Sequence, residues 1–451
     1  MISDARSATS RVASRYPPVR HQPKSTFDYL PDRGTYQLSY STGASKPMGK
    51  RIGRRQFLIE SSRVALGASA LSPIACTRDS RSAGGSTGTE HLSGLIADLE
   101  KQIPQLMAAV NVPGLAIAIV KDGRLFWRRG FGVKDRKADQ PVDNDTVFEA
   151  ASTSKPVFAY AVMKLCERGV MNLDTPLTRY TSERLIENDP RCDLITARHI
   201  LSHTSGLPNW RSKDDPLAIH FKPGEQWLYS GEGYSYLQSV VTRLVGGRVN
   251  LKDCGTFEED VKVCSMEPSI DDYMKANILA PFGMTSSGYL WNNSTESHMA
   301  PGHDEKGNPT ALNRKPDGPT LARYGMAGGL CTTAIDYAKF LLEVIDPKPS
   351  DQFRLRRASL KEMLRPQIRR NDTSSWALGW EINHTPDGDF IRHGGGNPGY
   401  ACFVAGSVER RSGYVIMTNG ENSGYTGVIA PLISGDTLSR FLGGKLRSAS
   451  E

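Results

Sequence analysis

Cysteine is scarce, seven in 451 residues, and no Cys-x-x-C pair occurs. A disulfide scaffold is excluded at that density, and structural zinc has no support. Long apolar runs are missing too: the weakly apolar stretch from Val64 to Ala75 is far too short to span a bilayer. A basic domain is also lacking, despite the net charge of +8. Residues 1–76 hold 12 of the 56 basic and 4 of the 48 acidic residues, so 44 of each sign remain downstream. That balance removes the electrostatic footprint of a nucleic-acid-binding domain, and no nucleic-acid partner is expected. The hydrophobic content of 38% suits a soluble globular core.

The basic excess sits in a leader. Gly53-Arg-Arg-Gln-Phe-Leu58 resembles a twin-arginine export motif ahead of the Val64 to Ala75 stretch, and Ile74-Ala75-Cys76 resembles the end of a lipoprotein cleavage box, with Pro73 where such boxes usually carry Leu. An exported protein, with a membrane tether through Cys76 as an option, is therefore expected. Residues 48–76 read as a complete signal peptide. The polar residues 1–47 are then either a disordered extension or a start placed too early. Residues 77–91 have a Ser/Gly/Thr-rich composition and read as a flexible tether.

A folded domain over residues 92–445 follows. Leu92, Leu95, Ile96, Leu99, Ile103 and Leu106 recur at helical steps. The period then changes: Gly114 to Val120 and Leu125 to Val133 are strand-like runs joined at Asp122-Gly123, a hairpin signal. Near the other end Ala377 to Ile382, Phe390 to His393, Ala401 to Gly406 and Tyr414 to Thr418 read as strands, and Val428 to Leu442 as helix. Residues 150–370 look mostly helical. The expected fold class is α/β of the α+β type: an antiparallel sheet assembled from both chain ends, flanked by helices, with a helical subdomain inserted. A charged segment, residues 246–269, reads as a surface insertion. It carries Cys254 and Cys264, either a local disulfide or two separate thiols.

Three segments carry chemistry. In Ala151-Ser152-Thr153-Ser154-Lys155, Ser and Lys stand three apart at the start of a helical run, so they share a face. A serine hydroxyl is a poor nucleophile until a base takes its proton, and a desolvated lysine can be that base. The helix start also favours the oxyanion that forms on attack. The second segment runs from Phe221 through a Pro-Gly turn to Tyr229-Ser230-Gly231 and a further helix. The third, His393-Gly394-Gly395-Gly396, ends a strand. Its glycines let an acyl group lie against the strand edge, and Gly396 can offer its N–H to an oxyanion.

In that order, these segments resemble the motif set of the serine β-lactamase and penicillin-binding-protein superfamily. The likeness is closest to its class C-like branch, which includes class C β-lactamases, D-alanyl-D-alanine carboxypeptidases and carboxylesterases. Ile200-Leu-Ser-His203-Thr-Ser-Gly-Leu-Pro208, Pro281-Phe-Gly-Met284 and Ala327 to Tyr337 look like that branch as well. The resemblance implies a β-lactamase/transpeptidase-like fold and an acyl-enzyme on Ser152. Lys155 would share the proton, Tyr229 would act as general acid or base, and the N–H groups of Ser152 and Gly396 would form the oxyanion hole. It implies no cofactor and no metal, and a small ester, amide or peptide as substrate.

Two departures from the family pattern stand in the substrate-binding positions. Gly231 replaces the usual Asn two residues after the Tyr, so a side-chain amide is missing. His393-Gly394-Gly395 replaces Lys-Thr-Gly. A histidine with an ordinary pKa near 6.5 is only partly charged at neutral pH and grips a carboxylate weakly. Arg392, adjacent on the strand, should point to the opposite face. These departures tilt the expectation toward esters and neutral amides. Gly84-Gly-Ser-Thr-Gly88 fits a nucleophile-elbow pattern, but its low-complexity setting argues against one. His199 and His203, four apart with no Glu after the first His, read as structural hydrogen-bonding residues and not as metal ligands.

Overall fold

The computed structural model describes residues 86–181, 184–211, 216–247, 270–291, 293–310, 320–321 and 325–442. The leader with Cys76, the tether up to residue 85, and the insertion from residue 248 with Cys254 and Cys264 lie outside the described residues. Helix α1 (Ser86–Ala109) begins six residues before the expected Leu92, so the end of the expected tether is helical. Propagating an established helix adds one hydrogen bond per residue fixed, which carries the helix back toward the N-terminus.

The hairpin β1 (Gly114–Lys121) and β2 (Arg124–Asp135) follows, turning at Asp122 (φ 51°) and Gly123 (φ 74°). Beyond the short β3 (Gln140–Pro141) and β4 (Phe148–Glu149) the chain enters the helical region through α2 (Ser154–Glu167). That region continues with α3 (Ala197–Leu201), α4 (Gly231–Leu244) and α5 (Ile270–Met274). It closes with α6 (Asn293–His298), α7 (Gly325–Gly328), α8 (Ala334–Ile345) and α9 (Arg357–Met363), and includes the two-stranded ladders β4–β7 (Cys331–Thr332) and β5 (Leu290–Trp291)–β6 (Thr320–Leu321).

The chain then returns to the sheet as β8 (Ile368–Asn371), β9 (Ser374–Trp376), β10 (Glu381–Thr385), β11 (Gly388–Asn397), β12 (Tyr400–Ser407) and β13 (Ser412–Thr418). The nine-stranded sheet runs β3-β2-β1-β13-β12-β11-β10-β9-β8, and each named pairing is antiparallel. The N-terminal hairpin thus joins the C-terminal strands through β1–β13, as the strand-like runs at both chain ends required. After a π-helical turn at Gly424–Ile429, α10 (Ala430–Ser434) and α11 (Asp436–Leu442) occupy the expected C-terminal helix.

Both faces of the sheet are covered. Along β1, Ala116, Ala118 and Val120 pack with α2 and the helical region, while Leu115, Ile117 and Ile119 pack with α1 and the C-terminal helices. A strand buried on both faces reads as a continuous apolar run, as Gly114 to Val120 does. Helix α2 lies inside the first of these cores and is buried from Ser154 to Leu165, including Lys155 and Lys164.

One expected strand is interrupted. Ala377 to Ile382 reads as a single run, yet Ala377 to Trp380 form a bend between β9 and β10. Gly379 there adopts φ 84°, and its N–H donates to the carbonyl of Leu201 (2.9 Å). A positive φ costs glycine nothing and breaks the pleat. The bend ends β10 at Glu381, so that among the described residues part of β11 has no paired strand on that side.

Candidate active site

Ser152 stands in a tight 3₁₀ turn, Ala151–Thr153, that feeds α2. Ala151 takes φ 47°, a left-handed conformation unfavourable for a residue with a Cβ. The turn is tied down from several directions. The hydroxyls of Thr153 and Ser154 donate to the carbonyls of Ala150 and Ala151 (both 2.6 Å). Leu330 donates its N–H to Ser154 Oγ (3.0 Å), and the Tyr337 hydroxyl donates to the Thr153 carbonyl (2.6 Å). Within this rigid frame Ser152 is half-buried while Ala151 and Thr153 are buried, so the turn offers one hydroxyl to the surface.

Lys155, one helical turn on, is 1% exposed. Its Nζ lies 3.2 Å from Ser152 Oγ and donates to the Ala327 carbonyl at 2.6 Å. It also sits 4.8 Å from the ring centre of Tyr229 and 5.4 Å from that of Tyr234. Burial pushes the ammonium down to about 7. A sizeable fraction is therefore neutral at physiological pH, and a neutral amine beside a hydroxyl can take its proton.

Tyr229 reaches the site from the loop before α4. Ser230 caps that helix, its Oγ accepting the Gly233 N–H at 2.8 Å and donating to the Pro208 carbonyl at 2.9 Å. The phenol ring lies among His203 (4.2 Å between centroids), Trp376 (5.9 Å) and His393 (6.2 Å).

The strand edge follows from hairpin register. Pairing of β11 with β10 ends at Arg392↔Glu381, whereas pairing with β12 continues to Asn397↔Tyr400. Two-residue loops close both hairpins, and pairs in an antiparallel ladder alternate between exchanging and not exchanging hydrogen bonds. Counting from either loop, residues 393, 395 and 397 direct their backbone groups at β12. Gly394 and Gly396 direct theirs at the side β10 has vacated. A methyl group added at Gly395 would stand 2.9 Å from the Ser152 nitrogen and 2.9 Å from the Ala150 carbonyl oxygen, so only glycine lets the strand approach the nucleophile this closely.

His393 corrects an expectation. It is 3% exposed, and burial together with the Lys155 charge pushes it down to about 3. The ring is neutral throughout the physiological range, not partly charged. Its Nδ1 lies 2.7 Å from the Gly394 carbonyl, which can only accept, so the proton resides on Nδ1. Arg392 is turned away as expected, bound to Glu381 through Nε (3.1 Å) and Nη2 (3.1 Å). Glu381 also takes Arg370 (2.7 Å), whose guanidinium lies over Trp227 at 4.1 Å.

Gly231 has its own cause. A Cβ there would overlap the indole of Trp210, so the space an asparagine side chain would enter is already filled by a ring. The Gly231 N–H donates to Asn209 Oδ1 (3.1 Å).

His199 and His203 share no ligand: His199 Nδ1 lies 3.1 Å from the Leu194 carbonyl and His203 Nδ1 accepts the Ser230 N–H, and among the described residues no group of metal-ligating side chains occurs. Ser86 to Gly88 of the elbow-like pattern fall in the first turn of α1. The sequence reading missed the Ala327 carbonyl, Trp210, Trp227, Trp376 and the Arg370–Glu381–Arg392 cluster. Backbone groups and aromatic neighbours carry no motif, so only folding could reveal them.

A serine and a buried lysine thus meet at the start of a core helix, close against strand β11 of the antiparallel sheet. The model of the Beta-lactamase family matches residues 99–434, and the chain belongs to that family, whose members form a class of serine hydrolases and penicillin-binding proteins. It is 23% identical over 330 residues to Protein flp of Staphylococcus aureus strain MRSA252, covering 68% of this chain and 60% of that protein. It is 22% identical over 345 residues to Penicillin-binding protein 4* of Bacillus subtilis strain 168, covering 68% of each. The chain thus spans about 60% of the length of the first of these relatives. Its fold matches that of a class C β-lactamase, with a TM-score of 0.62 and 18% identity over 80% of this chain and 99% of that one.

Proposed function

We propose that this protein is an exported serine hydrolase that works through an acyl-enzyme on Ser152 and acts on small esters or neutral amides. The observation that carries the reading is the 3.2 Å approach of Ser152 Oγ to a buried, largely desolvated Lys155 amine. Neutral Lys155 takes the Ser152 proton as Oγ attacks the acyl carbon. The oxyanion develops toward the N–H groups of Ser152 and Gly396, which need no reorganisation to receive it. Collapse breaks the bond to the alcohol or amine, which leaves with a proton delivered through Lys155 and Tyr229. Water then adds to the ester carbon, giving up its proton along the same route, and releases the acid and free Ser152.

The preference for neutral substrates rests on three features. His393 is uncharged, Arg392 is committed to Glu381, and the amide that family members carry at position 231 is replaced by the Trp210 ring. Export is supported by the Gly53-Arg-Arg-Gln-Phe-Leu58 leader, and tethering by Cys76. Among the described residues no helix is long and apolar enough to cross a membrane.

Protein starting after Cys76 should release p-nitrophenol from short acyl esters, and Ser152→Ala should abolish release; equal rates would refute the reading. Faster turnover of nitrocefin or of a D-Ala-D-Ala peptide would move the substrate assignment to a β-lactamase or carboxypeptidase. A stable fluorophosphonate or penicillin adduct on Ser152, seen by intact mass with negligible turnover of any ester, would make the protein a covalent sensor.

A further inference from the structure

His203 is a buried residue that the proposed mechanism does not use. It is fully buried at 0% exposure and adopts φ 58°, a left-handed conformation unfavourable for a residue that bears a side chain. Something must hold it there. Its carbonyl accepts the N–H of Leu228 at 2.8 Å, and its Nδ1 accepts the N–H of Ser230 at 3.0 Å. The amides on either side of Tyr229 are thus bound by a single residue. Between those two bonds the imidazole lies against the Tyr229 ring, centroids 4.2 Å apart and planes tilted by 36°. The imidazole is itself wedged by Trp376 (4.9 Å), Tyr234 (5.4 Å) and Trp227 (6.2 Å).

We propose that His203 is a positioning residue for the Tyr229 phenol: a neutral imidazole that clamps the backbone on both sides of the tyrosine and fixes its ring against Lys155. The inference rests on the acyl-enzyme reading for its catalytic consequence, while its structural content stands independently.

The clamp works only in one protonation state. To accept the Ser230 N–H, Nδ1 must be bare, which places the proton of the neutral ring on Nε2. A second proton would set two N–H groups against each other. Burial, the nearby Lys155 ammonium, His393 and Arg370 all disfavour that charge and hold the ring well below its ordinary value. A lysine or arginine in this position could supply no acceptor. Leucine would fill part of the volume but leave the Ser230 N–H unpaired. Asparagine offers an oxygen at the place of Nδ1 and tolerates the left-handed backbone.

The test compares wild type, His203→Leu and His203→Asn in p-nitrophenyl ester hydrolysis, with Ser152→Ala as the control and thermal unfolding recorded for each. The leucine variant should lose about 100-fold in kcat, the scale of a misplaced catalytic group, with KM changed less than about threefold. The asparagine variant should recover to within about tenfold of wild type. Equal loss in both variants, or loss that tracks unfolding temperature with KM rising alongside, would overturn the proposal. Retention of kcat by the leucine variant would do the same.

If Ser152→Ala hydrolyses as fast as wild type, the functional reading has failed, and NMR of ¹³Cζ-tyrosine protein decides the structural claim separately. One narrow Tyr229 resonance, assigned with Tyr229→Phe, is expected in wild type and His203→Asn, and a broadened or split one in His203→Leu. An unchanged narrow line in the leucine variant would overturn the clamp.

Discussion

Replacing Lys155 with methionine should stabilise the protein in acid and destabilise it in alkali. A displacement of the ammonium from 10.5 to about 7 corresponds to about 5 kcal/mol of folding free energy lost to burying the charge. Methionine removes that cost but leaves the Ala327 carbonyl without its donor and deletes the bond to Ser152, together about 3 kcal/mol. At pH 6 the lysine is charged in both folded and unfolded chains, the burial cost is close to its full value, and the variant should be more stable by about 2 kcal/mol. Between pH 7 and 10.5 the folded lysine has shed its proton while the unfolded one keeps it. The unfolded chain then binds more protons, so wild-type stability rises with pH.

The advantage of the variant should therefore vanish near pH 8 and reverse to about −2 kcal/mol at pH 10. With an unfolding entropy of about 2.1 cal/mol/K per residue over roughly 350 residues, these amounts move Tm by about 3 °C in opposite directions. Calorimetry or thermal circular dichroism at pH 6, 8 and 10 reads the difference directly. A Tm difference that stays flat across this range would refute the depressed lysine, and with it the base proposed for Ser152. In parallel, kcat/KM of the wild type should rise through about pH 7 as Lys155 becomes neutral.

Gly395→Ala should press on the Ser152 amide and the Ala150 carbonyl, slowing fluorophosphonate labelling of Ser152 by about 100-fold with the fold retained. Gly231→Ala should be destabilising through its overlap with Trp210, and Trp210→Ala should relieve part of that loss; urea unfolding of the double-mutant cycle should show a coupling of about 1 kcal/mol or more. Glu381→Leu removes the carboxylate that Arg370 and Arg392 share in a buried site and should cost about 3–5 kcal/mol in the same assay. NMR titration should find His393 neutral at every pH from 5 to 8, so that no limb of the pH–rate profile in that range disappears in His393→Gln.

The sequence was most informative where chemistry and period coincide. Ser152 and Lys155, three apart at a helix start, could be paired on sight because a helix places i and i+3 on one face. The runs at Gly114 to Val120 and Tyr414 to Thr418 read as strands, and they pair with one another in the sheet. Ala377 to Ile382 misled, because a bend at Gly379 looks the same as a continuous strand when only hydrophobicity is read. His393 misled in degree: its ordinary pKa suggests a ring partly charged at neutral pH, and only enclosure by Tyr229, Trp376 and the sheet keeps it neutral there.

By itself, then, the sequence determined the pairing of Ser152 with Lys155 and a sheet drawn from both chain ends, since these depend on local spacing and on alternation along single segments, while Tyr229 was reached only through the family resemblance. Tertiary structure alone decided the state of those groups: how far the lysine is desolvated, which edge of β11 is open, what fills the space at Gly231 and what holds Tyr229. Such properties arise from residues such as Lys155 and Ala327, 172 positions apart, and a dielectric environment exists only once the chain has closed around it.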